Sequence, residues 1–257
     1  MKAKEFVDKL VDIARNYETL YVMGCFGAPM TAANKKRYTQ NHPYNKQAAR
    51  TAMINAASAD TFGFDCVCLI KGVLWGWNGD ASRTYGGAGY AENGVPDIGA
   101  DSMIKVCSGV TSDFSGIVPG AAVWLEGHIG VYIGDGLAVE CSPKWENKVQ
   151  ITAVGNIGKK AGYNTRTWTK WGRLPYIDYT AEPEPAPEPE KPAGTGDNPS
   201  AWAREATDYC KRKGIFVGDG AGNYDWKEPI TREQVAAVLY RVLTAAGVAE
   251  LIPDAKQ

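Results

Sequence analysis

The 257-residue sequence lacks several features that assign a chain quickly to a class of protein. It has no run of about 18 or more apolar residues, which argues against a membrane-spanning helix. Its formal net charge of −1 gives no overall basic field of the kind that nucleic-acid-binding domains use. None of its six cysteines forms a CxxC or CxxH pair that would indicate zinc. We therefore expect no nucleic-acid partner, no membrane insertion, no metal and no cofactor.

The N-terminus also lacks the uninterrupted apolar segment of a signal peptide. Acidic residues recur in it, and Phe6, Leu10 and Ile13 follow the spacing of an amphipathic helix. We expect the chain to be made and folded in the cytoplasm, where disulfides are disfavoured. Most of the cysteines are then interpreted as small buried apolar side chains.

One segment divides the chain, and it reads TAEPEPAPEPEKPAGTGDNP from position 180. Its prolines remove backbone donors and its glutamates repel one another, which is typical of an extended spacer. The predicted organisation is a first domain at 1–179, a linker at 180–197, a small helical module at 198–246 and a tail at 247–257.

The first domain has helical patterns before strand patterns, which predicts an α+β fold with N-terminal helices on one antiparallel sheet. A helix starts near Asp65, and the polar stretch 31–60 is predicted to be a long loop with one short helix. The strand-like runs are GAAVWLE, HIGVYIG, LAVECS, VQITAV and RLPYID.

Cys66 is the candidate nucleophile of the chain. It follows a Gly-aromatic turn and Asp65, a residue type that caps helices, so it falls in the first turn of a helix. The partial positive charge of a helix N-terminus lowers a thiol pKa, which favours a reactive cysteine there. The alternative is a buried cysteine with only a packing role.

Histidine is scarce, and only His42 and His128 are available as a base for that thiol. His42 lies in a polar loop, where a solvated side chain is the simplest interpretation. His128 begins a strand in which Ile129, Val131 and Ile133 alternate with it and fill a core. His128 must then face elsewhere, and Gly130 beside it leaves space for a neighbour to approach.

The register of the following hairpin selects a third residue. A two-residue turn at Asp135-Gly136 would direct Glu140 towards the apolar face, which is costly for a carboxylate. A three-residue loop at 134–136 with a bulge sets residue 130 opposite 140 and brings Glu140 beside His128. We favour the second register, with Glu140 orienting the imidazole; Ser142 and Asn147 are the alternatives.

The segments YVMGC, FDCVCLIKGVLWGW and VPGAAVWLEGHIGVYIGDGLAVEC resemble the NlpC/P60 family of peptidoglycan cysteine peptidases, in the family's order. The resemblance implies a papain-like α+β fold with Cys66 as nucleophile, His128 as base and Glu140 as third residue. It also implies that Tyr21 lines the cleft, and we assign Asp65 with it to substrate binding. Val67-Cys68 stand where the family usually has Ser-Gly, and the longer 31–60 segment is expected to form a cleft wall.

The C-terminal piece reads as helix, Gly-rich loop and helix, and Thr231 with Gln234 predicts a capping box. It resembles one S-layer homology (SLH) repeat, including the ITRE start of the second helix. Such repeats bind secondary cell-wall polysaccharide. A single repeat is small for an independent core, so association into a homo-oligomer is the alternative role.

These features predict a peptidoglycan hydrolase of endolysin type that cleaves a stem-peptide amide by a Cys-His-Glu mechanism. Without a signal peptide, it would reach the cell wall through a holin. The family's usual bond joins γ-D-glutamate to the diamino acid. The alternatives are an N-acetylmuramoyl-L-alanine amidase of the same chemistry and a non-catalytic wall-binding protein.

Overall fold

A computed structural model of the chain describes two compact units, Met1–Ala181 and Glu182–Gln257. The described residues are 1–180, 198–218, 223–227 and 229–247. The predicted linker at 180–197 and tail at 247–257 lie almost entirely outside them. Within the described ranges, no helix has both the length and the apolar character needed to cross a bilayer.

The first unit mixes helices and strands, as the α+β prediction requires. Its first half contains α1 (Ala3–Asn16), β1 (Thr19–Tyr21), β2 (Phe26–Pro29), α2 (Ala32–Asn41), α3 (Ala48–Ala56), β3 (Phe62–Phe64) and α4 (Cys66–Leu74). Its second half contains α5 (Ala100–Val106), β4 (Ser108–Thr111), β5 (Ala122–Leu125), β6 (His128–Gly134), β7 (Leu137–Ser142), β8 (Lys148–Val154), β9 (Thr165–Arg166) and β10 (Lys170–Arg173).

The strands of this unit form two sheets, so the prediction of a single antiparallel sheet is wrong. The larger sheet has the order β4-β10-β5-β6-β7-β8-β9 and is antiparallel except where β9 pairs parallel with β8. The smaller sheet has the order β1-β3-β2, with β1 parallel to β3. The strand expected in RLPYID lies earlier, at β10, where Trp171 and Gly172 pair with β5.

The two faces of the larger sheet bury different sets of residues. One face contributes Ile129, Val131 and Val139 to the main core, where they join residues of α1 and α4. The predicted apolar stripe of α1 is confirmed, since Phe6, Leu10 and Ile13 are all buried. The other face contributes Tyr132 and Ala138 to a smaller cluster that includes Trp168. This second face also carries the polar residues of the site.

Residues 31–60 contain two helices, α2 and α3, where a loop with one short helix was predicted. Thr31 caps α2 by accepting a hydrogen bond from the backbone of Asn34. The inward positions of these helices include the polar residues Asn34 and Arg50, both buried. The usual apolar periodicity is therefore weak, which is why the sequence did not reveal them.

The second unit contains a short 3₁₀ turn (Ala201–Ala203), α6 (Arg204–Arg212) and α7 (Arg232–Ala245). The predicted capping box of α7 is confirmed. Thr231 Oγ1 accepts a bond from the backbone of Gln234, whose side chain accepts one from the backbone of Thr231. Two otherwise unsatisfied donors at the helix start are thereby bonded.

Candidate active site

Asp65 fixes the start of α4, the helix that carries Cys66. Its Oδ1 accepts the backbone N–H of Cys68 at 2.7 Å, which confirms the predicted cap. Its Oδ2 accepts the backbone N–H of Gly24 at 2.8 Å, so the same carboxylate ties α4 to the loop after β1. Both carboxylate oxygens are thus bonded to backbone, while Asp65 also lines the cleft described below.

Cys66 lies where β6 and β7 separate. These strands are paired from the hairpin turn as far as Val131 and Val139, where the pairing ends. The backbone N–H of Ile129 instead lies close enough to the Cys66 thiol to lower its pKa. Because Ile129 follows His128 directly, the fold brings the candidate nucleophile against the backbone that carries the candidate base.

The Cys66 thiol is held in its protonated form at neutral pH. Burial, which leaves the residue 7% exposed, and the negative charge of Asp65 together raise its pKa to about 12. The backbone N–H groups of Ile129, Val67 and Cys66 lower the pKa but do not offset burial. The expectation that the helix N-terminus gives a low thiol pKa is therefore wrong, because desolvation of the thiolate outweighs the helix dipole.

This pKa predicts slow alkylation of Cys66 at neutral pH. Only the thiolate reacts with iodoacetamide, so the rate is expected to rise about tenfold per pH unit from pH 7 towards 10. Asp65→Asn keeps a good capping residue but removes a negative charge, and it is expected to accelerate the reaction at fixed pH. Peptide mass spectrometry of the Cys66 fragment measures both rates. A rate that levels off below about pH 8 would contradict the assignment.

His128 and Glu140 are in direct contact. His128 Nε2 lies 2.7 Å from Glu140 Oε2. Val131 pairs with Val139, so residue 130 faces residue 140 as predicted. The three-residue loop on which that prediction depended is wrong. Gly134 pairs with Leu137 across a two-residue turn, and an irregularity between Tyr132 and Gly134 shifts the strand register instead.

Glu140 is completely buried and fully bonded. Its Oε2 contacts His128 Nε2 and Arg166 Nη2, and its Oε1 accepts bonds from Thr152 Oγ1 and Arg166 Nε. Burial raises the pKa of this carboxyl, but the bonds from His128 and Arg166 bring it below its ordinary value. Glu140 is therefore ionised at neutral pH.

The two alternative third residues lie elsewhere. Ser142 Oγ accepts a bond from Arg166 Nη2 at 3.1 Å. Asn147 Oδ1 accepts a bond from Arg50 Nη1 at 2.5 Å, and its carbonyl accepts the N–H of Tyr21. Glu140 is thus the residue that contacts His128. Arg166 was missed by sequence reasoning, since the two-residue strand β9 gives no periodic signal.

Trp168 packs against the imidazole. The rings of Trp168 and His128 are stacked: their centres lie 5.5 Å apart, and the angle between the ring planes is 10°. Gly130 makes this possible, because a Cβ there would lie 2.9 Å from the Val139 carbonyl oxygen and 3.1 Å from the Trp168 ring. The predicted role of Gly130 in admitting a neighbour is confirmed.

A cleft of about 610 Å³ opens beside Cys66. Tyr21 lies in its wall, as predicted, and burial raises the pKa of its hydroxyl well above the ordinary value. Gly127, the residue before His128, lines it as well, and its backbone N–H is held by Asp101 Oδ1. Arg37 on α2 also lines it, so the 31–60 segment contributes to the wall.

Two cations lie at this cleft in different surroundings. Lys71 is buried and paired with Asp97. Arg37 is exposed and donates to the hydroxyl of Tyr85, and within the described residues it has no carboxylate partner. In the described part of the chain, Arg37 is therefore a cationic side chain without a carboxylate partner at the cleft, and Asp65 is a carboxylate at the same cleft that is bonded to backbone N–H groups.

Among the described residues, no group of three or more His, Cys, Asp or Glu side chains is placed to hold a metal ion. No protein-family profile matches the chain, and no curated protein sequence is significantly similar to it.

Proposed function

We propose that the first unit is a peptidoglycan cysteine hydrolase with a papain-like NlpC/P60 fold. The observation that carries the proposal is the His128–Glu140 hydrogen bond, together with a Cys66 thiol whose pKa is raised by burial and partly lowered by the backbone N–H of Ile129, the residue after His128. A nucleophile that lines the cleft, a base and a group that orients the base are the three parts that a cysteine hydrolase requires.

The proposed reaction starts from the neutral thiol. His128 Nε2 is committed to Glu140, so Nδ1 accepts the Cys66 proton as sulfur attacks the amide carbonyl carbon. The imidazolium then returns the proton to the leaving amine, and the C–N bond breaks to leave a thioester. Water attacks the thioester with His128 again as base, releasing the carboxylic acid and the thiol.

Backbone donors at the start of α4 are suited to the developing oxyanion. The N–H of Cys68 is already bonded to Asp65, whereas those of Cys66 and Val67 act on the thiol itself. They are therefore near the carbon that sulfur attacks, and they supply part of an oxyanion hole.

The exposed Arg37 at the cleft supports an acidic stem peptide as substrate. γ-D-Glutamate carries a free α-carboxylate beside the bond to the diamino acid, and Arg37 provides a guanidinium to bind it. We propose that bond as the one cleaved. Cleavage between muramic acid and L-alanine is the alternative within the same chemistry.

The experiment is clearance of purified peptidoglycan by the full-length protein, with mass spectrometry of the released fragments. New γ-D-glutamyl carboxyl and diamino-acid amino termini are the expected result. Free L-alanine amino termini would instead establish the amidase. A protein that sediments with walls from many species yet releases nothing would favour the non-catalytic binding protein. Lysis from outside by added protein but not from inside, without a holin, would support the endolysin route.

The second unit is proposed to bind secondary cell-wall polysaccharide as an SLH-like module. The rings of Tyr224 and Trp226 are stacked 5.3 Å apart, with Lys211 Nζ 4.2 Å from the Tyr224 ring centre. These rings border a cavity of about 720 Å³ that Arg241 also lines, and aromatic faces beside a cation suit an anionic glycan. Homo-oligomerisation through this unit is the alternative.

The wall-binding role predicts that Trp226→Ala weakens sedimentation with intact walls. The background is full-length Cys66→Ala, which does not digest the target. The expected rise in Kd is about tenfold, and Trp202→Ala is the matched control because Trp202 is 89% exposed and outside the cavity. Equal binding by both variants, with a change in oligomeric state for Trp226→Ala alone, would favour the oligomerisation role.

A further inference from the structure

Arg166 makes a bidentate contact with Glu140. Its Nε donates to Oε1 at 2.8 Å, and its Nη2 lies 2.7 Å from Oε2. The Arg166 side chain is 11% exposed and that of Glu140 is fully buried. A planar guanidinium matches a carboxylate in this way, which a lysine ammonium does not reproduce.

Arg166 is itself fixed by aromatic rings. Its guanidinium carbon lies 4.7 Å from the centre of the Trp145 ring and 5.5 Å from that of Trp168. Trp168 is the same residue that stacks on His128. The base, the carboxylate and the guanidinium therefore share one packed assembly on one face of the sheet.

The contacts leave the carboxylate little freedom to rotate. A carboxylate has about four acceptor sites, and Glu140 receives contacts from His128, Thr152 and both prongs of Arg166. Because Glu140 remains ionised, it accepts a hydrogen bond from His128 Nε2–H. In the neutral imidazole, the proton-accepting nitrogen is then Nδ1.

We propose that Arg166 is a positioning residue that locks the Glu140 carboxylate and thereby holds His128 in the Nε2–H tautomer required of the base. The proposal rests on the proposed function only for its kinetic consequences, because the tautomer is a property of the free protein.

Removal of Arg166 has a defined electrostatic sign. The charged and titratable groups around His128 are Glu140 and Cys141 on β7, Arg166 on β9, Cys66 and Asp65 at the start of α4, and Asp101 on α5, whose carboxylate accepts the N–H of Gly127 at the turn before β6. Without the guanidinium, Glu140 loses the cation that compensates it, and the imidazolium gains stability. The neutral base then forms only at higher pH, so the acid limb of the pH profile of kcat shifts to higher pH.

The test compares Arg166→Gln and Arg166→Lys with Arg173→Gln in the full-length protein. Arg173 is the matched control, because its guanidinium also lies over an aromatic ring, that of Tyr179, away from Glu140. Arg166→Gln is expected to lower kcat about 10²-fold with little change in KM, and to shift the acid limb to higher pH. Arg166→Lys is expected to restore the acid limb to its wild-type pH but to recover only part of the wild-type kcat.

A second readout does not require hydrolysis. The chain has only two histidines, so long-range ¹⁵N–¹H spectra contain two imidazoles, and His42→Gln assigns them. His128 is expected to show the Nε2–H tautomer in the wild type and a mixture of tautomers in Arg166→Gln.

The two readouts separate the two proposals. A tautomer change in a protein without wall activity would support the positioning role and overturn the hydrolase. An active wild type whose Arg166→Gln variant keeps its kcat, pH profile and tautomer, and loses only thermal stability, would overturn the positioning role.

Discussion

Replacing Cys66 with alanine is expected to abolish peptidoglycan hydrolysis, with kcat reduced by at least about 10⁴-fold. The reason is chemical, because the thioester of the proposed mechanism forms on the Cys66 sulfur. Fold and wall binding are expected to be unchanged, since the substitution removes a single sulfur atom from a helix capped by Asp65. Turbidity clearance and sedimentation of the full-length protein measure the two properties separately.

Cys107→Ala is the control for the loss of a buried thiol. Cys107 is 9% exposed, follows α5 and does not line the cleft, and its thiol donates to the carbonyl of Met103. Its removal is expected to preserve kcat. If Cys66→Ala clears walls as fast as Cys107→Ala, Cys66 has only a packing role and the proposed mechanism is wrong.

Replacing Glu140 with alanine is expected to lower the free energy of unfolding by about 3–5 kcal/mol at pH 7, because it leaves the Arg166 charge buried without its partner. Since the pKa of Glu140 lies below its ordinary value of 4.5, this contribution is complete above that pH. It is lost as the pH falls through the folded-state pKa. The wild type and the variant are therefore expected to converge in acid.

Urea unfolding followed by tryptophan fluorescence measures this difference. Six of the eight tryptophans lie in the first unit, so its unfolding dominates the signal; they are Trp75, Trp77, Trp124, Trp145, Trp168 and Trp171. Glu146→Ala is the control, because Glu146 pairs with Lys148 at the surface and is expected to contribute less than about 1 kcal/mol. Equal losses for both variants would show that the buried pair gives no special stability.

Much of the candidate site was predictable because its residues have local signatures. Asp65 before an apolar segment indicated a capped helix, and the structure places Cys66 as its first residue. Alternation along β6 separated His128 from the apolar face. The cost of directing Glu140 into an apolar core selected the observed register, although the turn that achieves it was predicted wrongly.

Other parts of the site had no local signature. Arg166 lies 26 residues after Glu140 in a strand of two residues, and only the parallel pairing of β9 with β8 brings it to the carboxylate. The helices within 31–60 escaped prediction because their buried positions include Asn34 and Arg50, which form hydrogen bonds with residues distant in sequence.

Local sequence was sufficient to predict the available residue types, the start of α4 and the inward faces of α1 and β6, because capping and periodicity act over a few neighbouring residues. Tertiary structure decided the chemistry that those residues have. Burial raises the pKa of Cys66 against the helix dipole, and Arg166 with Thr152 completes the bonding of Glu140. Desolvation and long-range pairing depend on what surrounds a group in three dimensions, which local sequence does not record.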